Sequence, residues 1–242
     1  MVKKDLVAIG DEGCHDEVRR ILNTRTPCKI LDLPCGHGVL AEFLHRRGWD
    51  VHCADIDSGN MHFDQVPFTT VDLNRPLCFE SASFDAILCA NGLHRLYNPG
   101  GAIAEFARIL RPEGTLYITL NNYSSLDKRI RYLIIGSVSN MINRGVCEQT
   151  IDAPEAHVRV PLIFPQLAGM LEKHGFSVDD IRPSIVRTRD RLLAPLAFVI
   201  RILAVLTPYH KQRDAYVSET NGLALMPGGS YFFLEARKRR NA

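Results

Sequence analysis

The sequence predicts an α/β fold with a doubly wound, mostly parallel sheet of seven strands, of which the last is antiparallel. Strand and helix patterns alternate along the chain, which is typical of a parallel sheet with helices on both faces. A glycine-rich turn from Gly36 to Gly38 joins the first strand to an amphipathic helix. Residues 228–234 read as an antiparallel final strand, a hairpin partner that NAD-binding domains normally lack. The expected architecture is therefore Rossmann-like.

Hydrophobic periodicity and turn residues place the individual elements. Strands are expected at 30–31, 51–54, 68–71, 84–89, 115–120, 176–185 and 228–234. Helices are expected at 16–22, directly after Gly38, from Asn98 to Leu110, and around Leu167 to Gly175. Residues 111–114 are expected to form the turn before the fifth strand.

Composition limits the class of protein. The 242 residues suffice for one sizeable domain, and the regular alternation favours a single domain over residues 1–242. A net charge of +2 is too small to indicate nucleic-acid binding. The seven cysteines include no Cys-x-x-Cys pair, and no apolar signal segment opens the sequence, so we expect reduced thiols in a cytoplasmic protein. Cys35, Cys53 and Cys89 are expected near neighbouring strand ends as packing residues, and no metal site is predicted.

The glycine turn indicates a ligand site, and Asp32 distinguishes between ligands. The spacing Gly36-His37-Gly38-Val39-Leu40-Ala41 also fits a dinucleotide site, so the glycines alone leave NAD open. Asp32, however, stands where a pyrophosphate would lie, and two like charges about 4 Å apart repel by roughly 4 kcal/mol in a partly buried site. A ligand with an amino group and a sulfonium, such as S-adenosylmethionine, would be attracted instead.

Two more acids follow strands. Asp55, at the end of the second strand, can accept hydrogen bonds from both hydroxyls of a ribose, whereas Asp57 can cap the next helix. Asp72, after the third strand, can accept a hydrogen bond from the exocyclic amino group of an adenine, and Leu73 can offer an apolar contact to the adenine ring. This order of acids favours an adenosine-containing ligand.

The ordered segments LDLPCGHG, CADID, TVDLNRPL, SFDAILCANGLHRL and AIAEFARILRPEGTLYITLNN resemble class I S-adenosylmethionine-dependent methyltransferases. Weaker resemblance to bacterial small-molecule and cell-envelope methyltransferases continues in NNYSSLDKRIRYLIIG and HVRVPLIFPQLAGMLEKHGFSV. The resemblance implies S-adenosyl-L-methionine as cofactor and S-adenosyl-L-homocysteine as product. The cofactor-binding residues expected are Asp32, Pro34, Cys35, Gly36, Gly38, Asp55, Ile56, Asp72, Leu73, Ala90 and Asn91.

One residue departs from the pattern of the family. Pro34 stands where the first glycine is usual, so it removes an N–H and fixes φ, and we expect a stiffer turn. Gly36 and Gly38, the two glycines expected to touch the ligand, remain. The residues Cys89-Ala90-Asn91-Gly92 replace the Asn-Pro-Pro-aromatic motif of nucleic-acid amino methyltransferases, which disfavours base methylation.

Two long connections are expected to form a helical cap over the substrate, at about 121–160 and 188–222. The second contains LLAPLAFVIRILAVL, from Leu192 to Leu206, which is too short for the roughly 20 residues of a bilayer span and is interrupted by Arg201. Three interpretations stay open: a buried cap helix, a lid over an apolar acceptor, and a weak peripheral contact with the inner face of a membrane.

The sequence thus predicts an enzyme that transfers a methyl group in line to a small-molecule, glycan or lipid-linked acceptor. His94 and His157 are the candidate catalytic bases, against the alternative that each is structural. An NAD-dependent oxidoreductase and a non-catalytic S-adenosylmethionine-binding protein are the alternative functions. Acceptor identity, acceptor atom and oligomeric state are not readable from the sequence.

Overall fold

The computed structural model describes residues 12–136, 161–184, 192–214 and 216–240. One sheet of seven strands runs through these residues. The strands are β1 (Lys29–Asp32), β2 (Asp50–Asp55), β3 (Phe68–Thr70), β4 (Phe84–Ala90), β5 (Leu110–Asn121), β6 (Phe176–Pro183) and β7 (Tyr231–Lys238). Their order in the sheet is β3-β2-β1-β4-β5-β7-β6. β1 to β5 pair in parallel, and β7 is antiparallel to both β5 and β6, which confirms the predicted architecture.

The largest difference from the predicted strand bounds is in β7, which is expected at 228–234 and runs from Tyr231 to Lys238. Further differences concern β5, β3 and β6. β5 begins at Leu110, so the expected turn at 111–114 is part of the strand, where Glu113 has a φ of 65° and the register with β4 shifts. β3 ends at Thr70, one residue early. β6 is described to Pro183, and Ile185 lies outside the described residues. The irregularity in β5 escaped prediction because its residues are those of an ordinary turn.

Helices cover both faces of the sheet. They are α1 (Glu12–Leu22), α2 (Val39–His45), α3 (Pro99–Ile109), α4 (Leu126–Ile135), α5 (Phe164–Lys173), α6 (Ala194–Val205), α7 (Tyr209–Asp214) and α8 (Val217–Thr220). α3 and α5 pack on one face, with alternate strand residues such as Leu31 and Ile87. α1 and α2 pack on the other face, with residues such as Ile30 and Leu88. The inner strands such as β1 and β4 therefore bury both of their faces, as expected for a doubly wound sheet, whereas the edge strands β3 and β6 are only partly buried.

The cap contains the two helices that follow β5 and β6. α4 and α6 meet in a small apolar cluster that contains Leu126, Ala197 and Met226. Ala197 is the buried residue of α6, so the described residues do not bury the segment 192–206 as the interpretation of a buried cap helix requires. The composition did not reveal this, because an apolar helix usually indicates burial. Within the described ranges, no helix has the length and apolar character needed to cross a bilayer.

Arg129 of α4 connects the two cap segments. Its guanidinium donates to the Ser124 carbonyl at 2.8 Å, to Asn221 Oδ1 at 2.6 Å and to the Thr220 carbonyl at 2.8 Å. The guanidinium is partly buried, and burial lowers the pKa of Arg129. Asn122 adds a second connection, because its side-chain N–H donates to the Leu225 carbonyl at 2.7 Å. The residues after β5 thus hold those before β7.

We predict that Arg129→Met loosens the connection between α8 and α4 without unfolding the sheet. A hydrogen bond to a charged group contributes about 1.5–3 kcal/mol, so local opening should become roughly 10- to 100-fold more frequent. Hydrogen exchange at the amides of Thr220 and Asn221 measures this opening. Lys128→Met, one residue away on α4, is the control and should leave these rates unchanged. Equal rates in wild type and Arg129→Met would contradict the connecting role.

Candidate cofactor and active site

The carboxyl ends of the parallel strands lie at one edge of the sheet. The register aligns Asp32 of β1 with Cys53 of β2 and Leu88 of β4. It also aligns Asp55 with Thr70. The turns that follow β1, β2, β3 and β4 therefore lie close together, at the edge where parallel α/β sheets bind ligands.

Asp32 is the most unusual group at this edge. Its side chain is 1% exposed, and neither carboxyl oxygen has a hydrogen-bond partner among the described residues. Burial, together with the nearby charge of Asp55, raises the pKa of Asp32 to about 8. A buried acid without a partner destabilises the fold. It also makes Asp32 a candidate to bind a cationic ligand group.

The thiols around Asp32 are neutral groups. Burial raises the pKa of Cys89 to about 12. A hydrogen bond with Cys35 and burial both raise the pKa of the Cys53 thiol. The thiols therefore add no charge near Asp32. Asp32 carries a negative charge only when it loses its proton, and a positively charged ligand favours that ionised form.

The glycine turn is held by β2. The Cys35 N–H donates to the Ala54 carbonyl at 3.0 Å, and the Gly36 N–H donates to Asp55 Oδ2 at 2.8 Å. Gly36 has a φ of 52°, in the left-handed region that favours glycine. Asp55 therefore orients the turn, a role that its position after β2 did not indicate.

Gly38 serves packing. A Cβ at this position would lie 2.9 Å from Met61 Sδ and 3.0 Å from Phe63 Cβ, and Gly38 has a φ of 80°. The missing side chain thus makes room for the loop after β2. Packing is thus a reason for glycine at this position in addition to the expected approach of a ligand, which stays a prediction.

Pro34 has a partner in the turn after β4. A Cβ on Gly92 would lie 2.4 Å from Pro34 Cδ and 2.9 Å from Cys89 Sγ, so only glycine allows the two turns to approach this closely. The sequence identified Pro34 as a departure from the family pattern. The structure shows that Gly92 accommodates it.

Asn91 also lies at this edge, with Ala90 half-buried beside it at the end of β4. Asn91 has a φ of 54°, and its N–H is shared by the carbonyl and hydroxyl of Thr119, each at 3.1 Å. Its side-chain Oδ1 is buried without a hydrogen-bond partner among the described residues. Asn91 therefore offers a second unpaired acceptor, on the strand next to Asp32.

The residues after β2 divide into two roles. Asp57 Oδ1 accepts from the Gly59 N–H at 2.8 Å and caps the short turn Ser58–Asn60, which confirms its expected capping role. Ile56 is 62% exposed although it is a large apolar residue. An exposed Ile56 directly after Asp55 offers apolar surface to a flat ring.

Asp72 is more exposed than Asp55, and both carboxylates already accept hydrogen bonds within the protein. Its Oδ1 accepts from the backbone and side chain of Asn74 at 2.9 and 3.1 Å, and its Oδ2 lies 3.4 Å from Arg75 Nε. Its side chain is 30% exposed, while the neighbouring Leu73 is buried. Asp72 thus keeps acceptor capacity on Oδ2, whose one contact is with the exposed Arg75.

The structure describes one of the two candidate bases. His94 lies in the turn Leu93–Arg95 after β4 and is 3% exposed. His157 lies outside the described residues. A proton-transfer role for His94 therefore requires that an acceptor reaches it from inside the site.

The structure also brings α1 to the site, which the sequence did not predict. The Asn91 side-chain N–H donates to Cys14 Sγ of α1 at 3.5 Å. Cys14 itself is 2% exposed. The sequence of α1 carries no recognisable motif, so only the folded chain reveals that this helix covers the end of β4.

These residues fit S-adenosylmethionine. Asp32 and Asn91 present buried acceptor oxygens for an ammonium group. Asp55 keeps lone pairs for ribose hydroxyls, and Ile56 and Leu73 supply apolar surface for an adenine.

Comparison with known proteins agrees with the geometry. The family described as "Methyltransferase domain" matches residues 31–118. The Ubiquinone biosynthesis O-methyltransferase of Xylella fastidiosa is 30% identical over 179 residues, which cover 69% of each chain. That of Hahella chejuensis is 30% identical over 133 residues, 50% of this chain and 54% of its own. The chain thus spans about half the length of several curated relatives that it matches.

A solved structure supports the fold. The S-adenosylmethionine dependent methyltransferase from Mesorhizobium loti has a TM-score of 0.57 at 13% identity, over 93% of this chain and 98% of its own. At this identity the likeness concerns the fold alone. With the matched relatives and the ordered acids at the strand ends, the conclusion is that this chain belongs to the class I S-adenosylmethionine-dependent methyltransferase family.

Proposed function

We propose that the protein transfers a methyl group from S-adenosylmethionine to a small-molecule acceptor, with glycan and lipid-linked acceptors included. The buried, unpartnered carboxyl of Asp32 carries this proposal, because it favours a cationic ligand at the position where a dinucleotide would place a pyrophosphate. The names of two relatives, Ubiquinone biosynthesis O-methyltransferase and Demethylmenaquinone methyltransferase, support a small-molecule acceptor.

In this proposal the residues at the carboxyl ends of β1 to β4 position the cofactor, and we call them the cradle. Asp32 and Asn91 hold the methionine ammonium, Asp55 holds the ribose, and Ile56, Asp72 and Leu73 surround the adenine. Pro34, Cys35, Gly36, Gly38 and Ala90 shape the turns around it. When bound, the cofactor would supply a methyl group on a sulfonium: an acceptor lone pair would bond to the methyl carbon as the carbon–sulfur bond breaks, and the electron pair of that bond would stay on the sulfur of the neutral thioether product. The protein contributes alignment of the acceptor and exclusion of water.

An acceptor hydroxyl would need to lose a proton. His94 and His157 are the proposed bases, and each would take that proton on a ring nitrogen. An amine acceptor with a free lone pair would not need this step. The histidines therefore matter only if the acceptor is a hydroxyl or an acidic carbon.

We further propose that residues 1–242 form one methyltransferase domain, with the cap segments 121–160 and 188–222 on the acceptor side. Both segments follow strands whose connections extend from the sheet near the cradle, and Arg129 joins them. The protein would act in the cytoplasm, with peripheral contact to the inner face of the membrane through 192–206.

We predict that S-adenosylhomocysteine raises the melting temperature and NADH does not, because only a ligand of the native state stabilises it. Asp55→Asn should weaken S-adenosylhomocysteine binding by about 1.5–3 kcal/mol, the range for a hydrogen bond to a charged group. Asp72→Asn is the matched control and should cost less, since Asp72 would accept one hydrogen bond from the adenine amino group, whereas Asp55 would accept from both ribose hydroxyls. Titration calorimetry measures both. Stabilisation by NADH alone would overturn the proposed function.

We predict that Asp32→Asn stabilises the ligand-free protein but impairs cofactor binding. The folded pKa of Asp32, about 8, exceeds its ordinary value of 3.8, so the native state binds more protons than the unfolded state between these pH values. Wild-type stability should therefore fall with rising pH relative to Asp32→Asn, by at most about 1.4 kcal/mol per pH unit, and the difference should level off above pH 8.

Urea unfolding from pH 5 to 9 measures this difference. S-adenosylhomocysteine binding by wild type should strengthen over the same range as Asp32 loses its proton, and binding by Asp32→Asn should stay weak. A constant stability difference between the two proteins across this range would show that Asp32 is ionised throughout.

We predict that His94→Ala lowers kcat about 100-fold for a hydroxyl acceptor, within the usual range for general acid–base catalysis. A base should also impose a pH dependence on kcat that His94→Ala removes, whereas a purely structural histidine would leave the profile unchanged in shape. His94→Gln, which keeps most of the side-chain volume, controls for packing because His94 is buried. An unchanged kcat would leave positioning as the contribution of this region.

A further inference from the structure

The outer side of α6 is apolar, although the solvent-facing side of a surface helix is normally polar. α6 packs inward through a narrow stripe formed by Leu193, Ala197 and Ile200. Seven large apolar side chains on its other sides are 43–78% exposed. They belong to α6 and to the residue that follows it: Leu196, Phe198, Val199, Ile202, Leu203, Val205 and Leu206. Arg201 is the one charged residue between Ala194 and Val205. Burial against the described part of the chain therefore does not explain the composition of α6.

α5 provides the contrast within the same protein. It buries Phe164, Leu167 and Leu171 against the sheet and exposes Gln166, Glu172 and Lys173. This is the ordinary amphipathic pattern of a surface helix. α6 is apolar on its packed and outer sides alike, so its outer side fits an apolar environment.

α4 extends the same surface. α4 and α6 contact each other through the cluster around Leu126 and Ala197. The last turn of α4 exposes four consecutive residues by 60–85%: Tyr132, Leu133, Ile134 and Ile135. We define the cap surface as these four residues together with the seven exposed residues of α6 and its last turn. An apolar surface of this extent usually marks a site of association.

Charge indicates the class of partner. No acidic residue occurs from Leu192 to Arg213, whereas Arg201, His210, Lys211 and Arg213 are exposed. Arg213 is paired with the following Asp214, so Arg201 and Lys211 are the cations that favour an anionic partner. Tyr209, 80% exposed, lies between the apolar residues and the basic residues at 210–213. Binding to an anionic bilayer grows with the apolar area buried and with electrostatic attraction to the lipids, and this segment offers both.

We propose that the cap surface docks the protein on an anionic lipid bilayer, with α6 and the end of α4 in the interface and residues 209–213 at the headgroups. This deepens the proposed function and rests on it, because docking would present the cap to acceptors held in the membrane. The helices lie on the bilayer, since α6 has 12 residues and a span needs roughly 20.

Flotation of the acceptor-free protein with phosphatidylglycerol vesicles tests the proposal, and phosphatidylcholine vesicles are the neutral comparison. Wild type should float with the anionic vesicles at low salt, and its partition should fall severalfold at high salt because cations contribute to binding. Phe198→Ser with Ile202→Ser should lower the partition at least tenfold. Lys211→Glu should lower it severalfold.

Matched controls separate docking from general surface effects. Ile163→Ser replaces an exposed apolar residue at the start of α5, and Lys173→Glu makes the same charge change at its end. Both should float like wild type. All variants should keep the melting shift caused by S-adenosylhomocysteine, which shows that they fold and that the cradle is intact.

Two results would overturn the proposal. Failure of folded wild type to float with anionic vesicles at low salt excludes a bilayer as the partner. A dimer in solution that Phe198→Ser with Ile202→Ser dissociates would show that the cap surface joins two copies of the chain. Neither result affects the proposed cofactor chemistry, which S-adenosylhomocysteine binding tests separately.

Discussion

The buried carboxyl of Asp32 is the constraint around which the site is organised. Asp32 ends β1, at the centre of the sheet, and its oxygens have no partner among the described residues. Such a group is costly in a folded protein unless a ligand with opposite charge compensates it. The fold thus keeps a destabilising group in place for a ligand. This link between stability and binding explains why the protonation of one residue bears on both.

The turns around Asp32 are fixed by contacts between strands. Asp55 of β2 accepts from Gly36, Pro34 packs against Gly92 after β4, and Asn91 donates to Thr119 of β5. Contacts from four neighbouring strands therefore fix the turns that follow β1 and β4. A site held in this way is preorganised, so less of the binding free energy is lost in ordering the protein.

The cap combines polar connections inside with an apolar surface outside. Arg129 and Asn122 join the segment after β5 to the segment before β7. The outer residues of α6 contribute little to this packing, since Ala197 is the buried residue of that helix. The two sides of the cap thus have different requirements: the inner side holds the chain together, and the outer side suits an apolar environment.

The sequence by itself determined the fold class, the antiparallel last strand and the positions of the acids, because these depend on local periodicity and on which residues end each strand. It also identified residues 192–206 as more apolar than the fold requires. The tertiary structure decided what depends on contacts distant in sequence. These contacts give Asp55 its bond to Gly36, give Gly38 and Gly92 their packing roles, bring Cys14 to Asn91, and leave α6 exposed. No local pattern specifies them, since each joins residues that only the packed sheet brings together.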